Sequence, residues 1–84
     1  MESNILAFTV SSNTTHQEVH SLCLPYGNIR EVRIENKGRA LASAVVHFSQ
    51  QEAAAAALYK LHGCRFTGMN LWPRYIEKSW GDDE

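Results

Sequence analysis

The sequence predicts an α+β domain in which a four-stranded antiparallel sheet carries two helices on one face. Three observations support this fold class. Four segments show strand-like patterns and two show helical spacing, they follow the order β-α-β-β-α-β, and each helical segment begins with a capping-box pattern. Right-handed crossovers arrange this order as a ferredoxin-like sheet with one uncovered face. A binding site is therefore expected on that helix-free face.

The first half of the chain is predicted to contain a strand, a helix and a second strand. Ile5–Val10 is an apolar, β-prone run. Thr15 and Glu18 form the capping box of the first helix, which Pro25 and Gly27 end. The second strand is predicted to have an apolar side that faces the core, formed by Ile29, Val32 and Ile34. Its charged side is expected to face solvent and consists of Glu31, Arg33 and Glu35.

The second half is predicted to contain a hairpin strand, an alanine-rich helix and a last strand. A turn over residues 36–38 leads into the third strand, whose two faces are Ala42, Ala44, Val46 and Phe48 on one side and Ser43, Val45 and His47 on the other. Ser49 and Glu52 repeat the capping box, and the helix runs to Leu61 before Gly63. Asn70–Ile76 is the last strand, where Pro73 predicts an edge or bulge position.

Length and composition predict one domain over residues 1–84, with a core over about residues 5–77 and an acidic tail over 78–84. The net charge of −1 argues against a general nonspecific nucleic-acid binder, so any such binding must come from a local patch. Without an apolar run of about 18 residues, no membrane partner is expected. Cys23 and Cys64 are expected to be reduced and buried, and the protein intracellular, in nucleus or cytoplasm.

These segments resemble the RNA-recognition motif family over about residues 5–77. The residues that carry the resemblance are spread along the chain: Thr14-Thr15, Tyr26-Gly27-Asn28-Ile29, Val46-His47-Phe48-Ser49, Ala53, Leu58, Leu61-His62-Gly63, Phe66 and Gly68. The chain is identified as an atypical member with degenerate ribonucleoprotein motifs. The resemblance implies a domain that binds single-stranded RNA. No enzymatic activity and no cofactor are expected.

The resemblance also assigns the positions that usually hold the stacking aromatics. The octamer motif falls on Leu41–Phe48, because a start at Lys37-Gly38 would leave seven extra residues before the helix cap. The hexamer motif falls on Ile5–Val10. The three stacking positions are then Leu6, Ser43 and Val45, none of them aromatic. Because stacking is worth about 1–3 kcal/mol per base, RNA binding is expected to be weak or to need a neighbouring module.

Other side chains are expected to replace the missing rings on the helix-free face. Period-two alternation places a substitute site there, with Ala7, Val46 and Leu71 beneath the helices; its members are Phe8, His47 and Trp72 with Arg33 and Arg74. Lys37 and Arg39, in the turn between the second and third strands, are expected to reach phosphates. The sequence leaves open the alternative that Tyr75 or Trp80 covers Phe8 and Trp72, which would then extend the core.

A protein-interaction module of the same fold is the rival hypothesis. A sheet face that exposes Leu6, Val45 and Trp72 would be unusually apolar and suited to a protein partner or a homodimer. One branch of the family holds a tryptophan-bearing peptide with an Arg-x-Phe motif. In this chain Arg65 directly precedes Phe66, so that specific match is poor.

Catalytic and metal sites are not expected. His16 and His20 lie one helical turn apart, but no third ligand has suitable spacing. Cys64 and His62 lack an acid in sequence reach that would orient the imidazole. No glycine-rich phosphate-binding motif is present. A non-enzymatic binding domain without a metal is therefore predicted.

Overall fold

The computed structural model describes residues 3–76, so the predicted acidic tail over residues 78–84 lies outside the described part. The elements, in chain order, are β1 (Ile5–Ser11), α1 (His16–Cys23), a 3-10 turn (Leu24–Tyr26), β2 (Ile29–Glu35), β3 (Leu41–Phe48), α2 (Gln51–Leu61), β4 (Arg65–Phe66), β5 (Met69–Asn70) and β6 (Arg74–Ile76). Strands β2, β3, β1 and β6 form one sheet in that spatial order. Every neighbouring pair in this sheet is antiparallel, which confirms the predicted fold class.

Both helices pack on the same face of the sheet. Val19 and Cys23 of α1 and the buried alanines of α2 belong to one apolar cluster with a single set of alternating strand residues: Leu6, Phe8, Val10, Ala42, Ala44, Val46 and Phe48. Small side chains dominate this cluster, since β3 and α2 together supply five of its alanines: Ala42, Ala44, Ala53, Ala54 and Ala57. Phe8 and Phe48 are the largest fully buried side chains and occupy the space that these alanines leave.

The two helices begin differently. At α1 the backbone N–H of Thr15 donates to Glu18 Oε1 over 2.9 Å, and the Glu18 N–H donates to Thr15 Oγ1 over 3.1 Å. This confirms the first capping box. At α2 the N-cap is Gln50, and no side chain caps the helix. The predicted capping box on Ser49 and Glu52 is therefore wrong, because Gln50 occupies the N-cap position that the box assigns to Ser49.

Gly27 allows the segment between α1 and β2 to lie directly against α2. Its backbone has a φ of +153°, and a Cβ built at this position would collide with the Cβ of Ala53. A side chain at residue 27 would therefore separate the segment from the helix.

The predicted last strand is divided into two pieces. Met69–Asn70 pairs with Arg65–Phe66 in a separate two-stranded hairpin, and only Arg74–Ile76 joins the main sheet. Backbone hydrogen bonds of 2.7 Å tie Leu71 to Gly63 and Cys64, so the chain follows the loop after α2 before it enters the sheet. Pro73 lies between the two pieces, where its lack of an N–H interrupts the ladder. The prediction of one continuous strand over Asn70–Ile76 is wrong.

The two cysteines have different environments. Cys23 is buried, and this burial raises the pKa of its thiol to about 12, so the thiol remains protonated at neutral pH. Cys64 is exposed and its thiol donates to the carbonyl of Lys60 over 3.0 Å. The expectation that both thiols are buried is thus wrong for Cys64. Within residues 3–76 no helix is long and apolar enough to span a bilayer, and no group of three potential metal ligands occurs.

Candidate functional site

Strand register places four residues in one line across the helix-free face. Arg33 of β2 pairs with Val45 of β3, Val45 pairs with Ala7 of β1, and Ala7 pairs with Arg74 of β6. We call this line Arg33–Val45–Ala7–Arg74 the central row. With neighbouring strands about 4.8 Å apart, its two arginine Cα atoms lie about 14 Å from each other. The central row therefore has a cationic residue at each edge and small apolar residues in the middle.

A flanking row lies on each side of the central row. One flanking row is Glu31, His47, Ile5 and Ile76, and the other is Glu35, Ser43 and Thr9. The predictions that Arg33, His47 and Arg74 share this face with Ser43 and Val45 agree with the register. The prediction that Val46 and Leu71 lie beneath the helices also agrees, since both are fully buried in the core cluster.

Phe8 is on the other face, so its predicted membership of a ring platform is wrong. It pairs with Ala44, belongs to the helix-side cluster and is 1% exposed. The physical reason is volume, because the facing residues of β3 and α2 are alanines and a phenyl ring fills the space they leave. Ala7, which was expected beneath the helices, takes the outward position instead.

The same shift of one residue moves the stacking position of β1. Leu6 is fully buried on the helix side, and the residue opposite Val45 is Ala7. The three positions that should hold rings are therefore Ala7, Ser43 and Val45, and none of them is aromatic. Ala7 and Val45 are each only 3% exposed. The predicted exposed apolar surface on Leu6 and Val45 is consequently wrong.

Charge on this face differs between the two edge strands. The guanidinium of Arg33 lies 3.2 Å from Glu31 and 3.6 Å from Glu35, so two carboxylates offset its charge. Arg74 is exposed, and within residues 3–76 its side chain forms no hydrogen bond or ion pair. The β6 edge therefore offers a cation that no described carboxylate neutralises.

His47 stands beside the central row and is half-buried on the helix-free face. Its pKa is lowered from 6.5, mainly by burial and also by the positive charge of Arg30, with Glu31 acting in the opposite direction. The imidazole is therefore neutral at physiological pH. A neutral ring offers a flat surface together with one hydrogen-bond donor and one acceptor.

Trp72 is 59% exposed and lies beyond the last β1–β6 pair rather than within the sheet. Its indole meets the ring of His62 edge to face, with the ring centroids 5.0 Å apart and the planes at 77°. Gly63 lies beneath the same indole. Trp72 is thus an accessible ring at one end of the sheet, held against the loop that follows α2, and it does not stack with Phe8.

Lys37 and Arg39 are exposed in the loop between β2 and β3. This loop is attached to the end of β1, because Ser12 donates from its hydroxyl to the Arg39 carbonyl over 2.9 Å and from its N–H to the Ala40 carbonyl over 2.9 Å. Lys37 and Arg39 therefore lie in the β2–β3 loop, as predicted, and the structure adds that this loop is held at the Ser11 end of the sheet.

Two residues of interest were missed from the sequence, Ala7 and Arg30. Ala7 could have been found by matching volumes, since a phenyl ring at Phe8 suits the alanine side of β3 better than the outer side does. Arg30 is the extra residue of an irregularity in β2, because the β2–β3 register shifts between Ile29 and Glu31. No sequence pattern marks a bulge of this kind.

The chain matches the sequence model of the RNA recognition motif over residues 9–72. It is similar to the Pes4 RRM3 structure, with a TM-score of 0.83 and 15% identity, covering 94% of this chain and 98% of that one. It is also similar to the Rna15 RRM with bound RNA (GU), with a TM-score of 0.79 and 20% identity over 95% and 89% of the two chains.

A third similar structure is the Nab3 RRM, described in terms of cis-element recognition of non-polyadenylated RNAs, with a TM-score of 0.78 and 15% identity over 90% of this chain and 97% of that one. No protein of curated function matches the chain. At these identities the structural likeness shows the fold alone. The sequence model, however, spans most of the chain and agrees with the observed topology, and the chain therefore belongs to the RNA recognition motif family.

Proposed function

We propose that this domain binds single-stranded RNA on its helix-free face, mainly through phosphate contacts and with little base stacking. The observation that carries the proposal is the central row, in which Arg33 and Arg74 stand at the two edges of the helix-free face of an RNA recognition motif fold. Among the similar structures, the Rna15 domain is one with bound RNA. Membership of the family supports RNA as the class of ligand, and the central row supports the helix-free face as the proposed site.

Each side chain in the proposed site has a chemical role. Arg74 contacts phosphate directly, because its guanidinium has no described carboxylate beside it. Arg33 contributes after exchanging one of its two glutamates for a phosphate oxygen. His47 offers a neutral ring and hydrogen bonds to a base edge, and Trp72 offers the one exposed indole in residues 3–76 for stacking at the end of the sheet. Lys37 and Arg39 neutralise phosphates that run past the β2–β3 loop.

The affinity expected from this arrangement is low. The positions Ala7, Ser43 and Val45 supply no ring, and each missing stack removes about 1–3 kcal/mol. Binding through phosphates alone is typically on the order of 10⁻⁴ to 10⁻⁶ M and falls steeply with salt. We therefore propose that productive binding is either weak or shared with a neighbouring module.

A nuclear magnetic resonance titration tests the proposal. Short single-stranded RNA of mixed sequence, added to isotope-labelled protein at low salt, should shift the backbone amides of Ala7, Val45, His47 and Arg74. Buried helix-side residues such as Ala54 should not shift. An absence of shifts at protein concentrations near about 0.1 mM would overturn the proposal, because even nonspecific binding is usually on the order of that value or tighter.

A pair of variants gives the electrostatic part of the test. Arg74→Ala should weaken RNA binding several-fold and reduce the slope of log affinity against log salt by about 0.7, the value for one phosphate contact in a single strand. Arg65→Ala removes another exposed arginine, which lies on β4 outside the helix-free face, and should leave both quantities unchanged. Equal effects of the two variants would mean that binding is not localised to the central row.

A further inference from the structure

A groove separates α1 from the outer edge of β2, away from the central row. It encloses about 430 Å³, is open to solvent, and is lined by His16, Gln17, His20, Ile29, Arg30, Glu31 and Val32. The half-buried side chains of Ile29 and Val32 form an apolar floor, and the exposed polar residues of both elements form the rim. This volume falls within the range of about 300–1,000 Å³ typical of ligand sites, and it holds one or two side chains.

One wall of the groove is the free edge of the sheet. β2 is the terminal strand in the order β2-β3-β1-β6, and within the described residues its backbone hydrogen bonds to β3 and to no other element. Such an edge presents unpaired N–H and C=O groups to any extended chain that lies alongside it. An occupant can therefore gain main-chain hydrogen bonds as well as contact with the apolar floor.

The rim of the groove carries one cation, Arg30, that has no ion pair within residues 3–76. His16 and His20 are four residues apart on α1, so they share one side of the helix. Arg30 is the extra residue at the β2 irregularity, is exposed, and within residues 3–76 has no hydrogen bond or ion pair. Glu31 is the one acidic lining residue, and its carboxylate is paired with Arg33 on the helix-free face. The unpaired charge at the rim is thus cationic.

We propose that this groove binds an acidic, extended segment of a partner protein, which adds as a strand to the outer edge of β2. An apolar side chain of the segment lies on Ile29 and Val32, and a neighbouring carboxylate binds Arg30 with help from the two histidines. The apolar floor and the free strand edge favour a peptide over a nucleic acid, since phosphates alone would use neither feature. The site uses a different surface from the RNA contacts, so either function can hold without the other.

Two pools of short synthetic peptides test this assignment. Both alternate apolar residues with charged ones, and they differ only in carrying glutamate or lysine at the charged positions. The glutamate pool should shift the amides of Gln17, His20, Arg30 and Val32 in a titration, and the lysine pool should not. No shifts with either pool at about millimolar peptide, where even interactions of about 4 kcal/mol are visible, would overturn the proposal.

Variants of the protein test the contribution of Arg30, and methylated peptides test the contribution of the β2 edge. Arg30→Glu should weaken binding of the glutamate pool by about tenfold or more, the size expected when a charge-assisted hydrogen bond is lost. Arg65→Glu makes the same charge change on β4 and should have little effect. Two peptides, each methylated on one of the two alternate sets of backbone nitrogens, test strand addition. Methylation of the set that faces β2 should abolish binding, because the ladder needs those N–H groups, and methylation of the other set should not.

Three outcomes would contradict the proposal. Equal weakening by Arg30→Glu and Arg65→Glu would mean unspecific charge attraction. Unchanged binding of both methylated peptides would mean that the edge of β2 is not used. If single-stranded RNA of mixed sequence shifted the same α1 and β2 amides more strongly than the glutamate pool, the groove would be a phosphate site. A preserved amide spectrum for each variant provides the control for folding.

Discussion

Individual side chains on the helix-free face differ in how available their charge is. Arg33 lies between Glu31 and Glu35, and a phosphate must compete with two carboxylates for it. Arg74, at the opposite edge of the same row, has no such described competitor. His47 stands beside them as a neutral ring whose protonation is opposed by burial and by Arg30. At this scale the three rows balance two arginines against two glutamates, and Arg74 is the arginine whose charge no described carboxylate offsets.

The lowered pKa of His47 makes a testable contribution to stability. Since its pKa in the folded protein is below 6.5, the unfolded chain binds more protons as the pH falls through this region. The contribution is therefore present above the unfolded pKa and is lost as the pH falls through the folded pKa. Urea denaturation at about pH 5 and pH 7.5 should show that the wild type loses more unfolding free energy on acidification than His47→Gln does. An identical loss in the two proteins would contradict the assignment.

At the scale of elements, the two helices begin with different capping arrangements. Thr15 and Glu18 satisfy two free backbone donors at α1, and α2 begins at Gln51 without a side-chain cap. Its stability rests instead on alanine propensity and on packing against the sheet. The sequence pattern of Ser49 and Glu52 is the same as that of Thr15 and Glu18, so the pattern alone does not separate a formed capping box from an unformed one.

A pair of alanine substitutions compares these two starts. Thr15→Ala should lower the unfolding free energy by about 1 kcal/mol, because it removes the acceptor for the Glu18 N–H. Ser49→Ala should change it by less than about 0.5 kcal/mol, the usual limit for an exposed surface position. Equilibrium denaturation of both variants measures the difference. Equal costs at the two positions would contradict the observed caps.

Most elements could be predicted from sequence, and the errors have physical causes. The alternation of β2 and β3 is unambiguous, since charged or polar residues mark the outer side. In β1 the run from Ile5 to Val10 is nearly all apolar, so period-two alternation alone does not decide which side Phe8 faces. The last strand could not be placed because backbone pairing of Leu71 with the loop after α2 depends on tertiary contacts. Pro73 was expected at an edge or bulge, and it lies instead between the two separate pieces.

At the scale of the whole molecule, large and small residues are divided between the layers. Phe8 and Phe48 from the sheet meet a helix layer built largely of alanine, which brings α2 close to the strands. The same choice leaves Ala7 on the outer face, where an RNA-binding relative could carry a ring. Because Phe8 points inward, its ring fills the core, and β1 offers no ring for base stacking at the proposed site.

Truncation of Phe8 measures the core side of this arrangement. Phe8→Ala should lower the unfolding free energy by about 3–5 kcal/mol, because the residue is 1% exposed and the surrounding alanines cannot fill the cavity. Thr9→Ala, one residue further and exposed on the other face, should change it by less than about 0.5 kcal/mol. Denaturant titration distinguishes these values. A loss below about 1 kcal/mol for Phe8→Ala would mean that the ring is not in the core.

The most direct test of the RNA-binding surface restores one of its missing rings. Ser43 is half-buried on the helix-free face between Thr9 and Glu35. Ser43→Tyr should tighten binding of mixed-sequence single-stranded RNA by about 5- to 150-fold, the gain from one stacked base. Ala56→Tyr, on the exposed side of α2, should leave the affinity unchanged. If Ser43→Tyr folds normally and binds RNA no more tightly than the wild type, the helix-free face is not the RNA-binding surface.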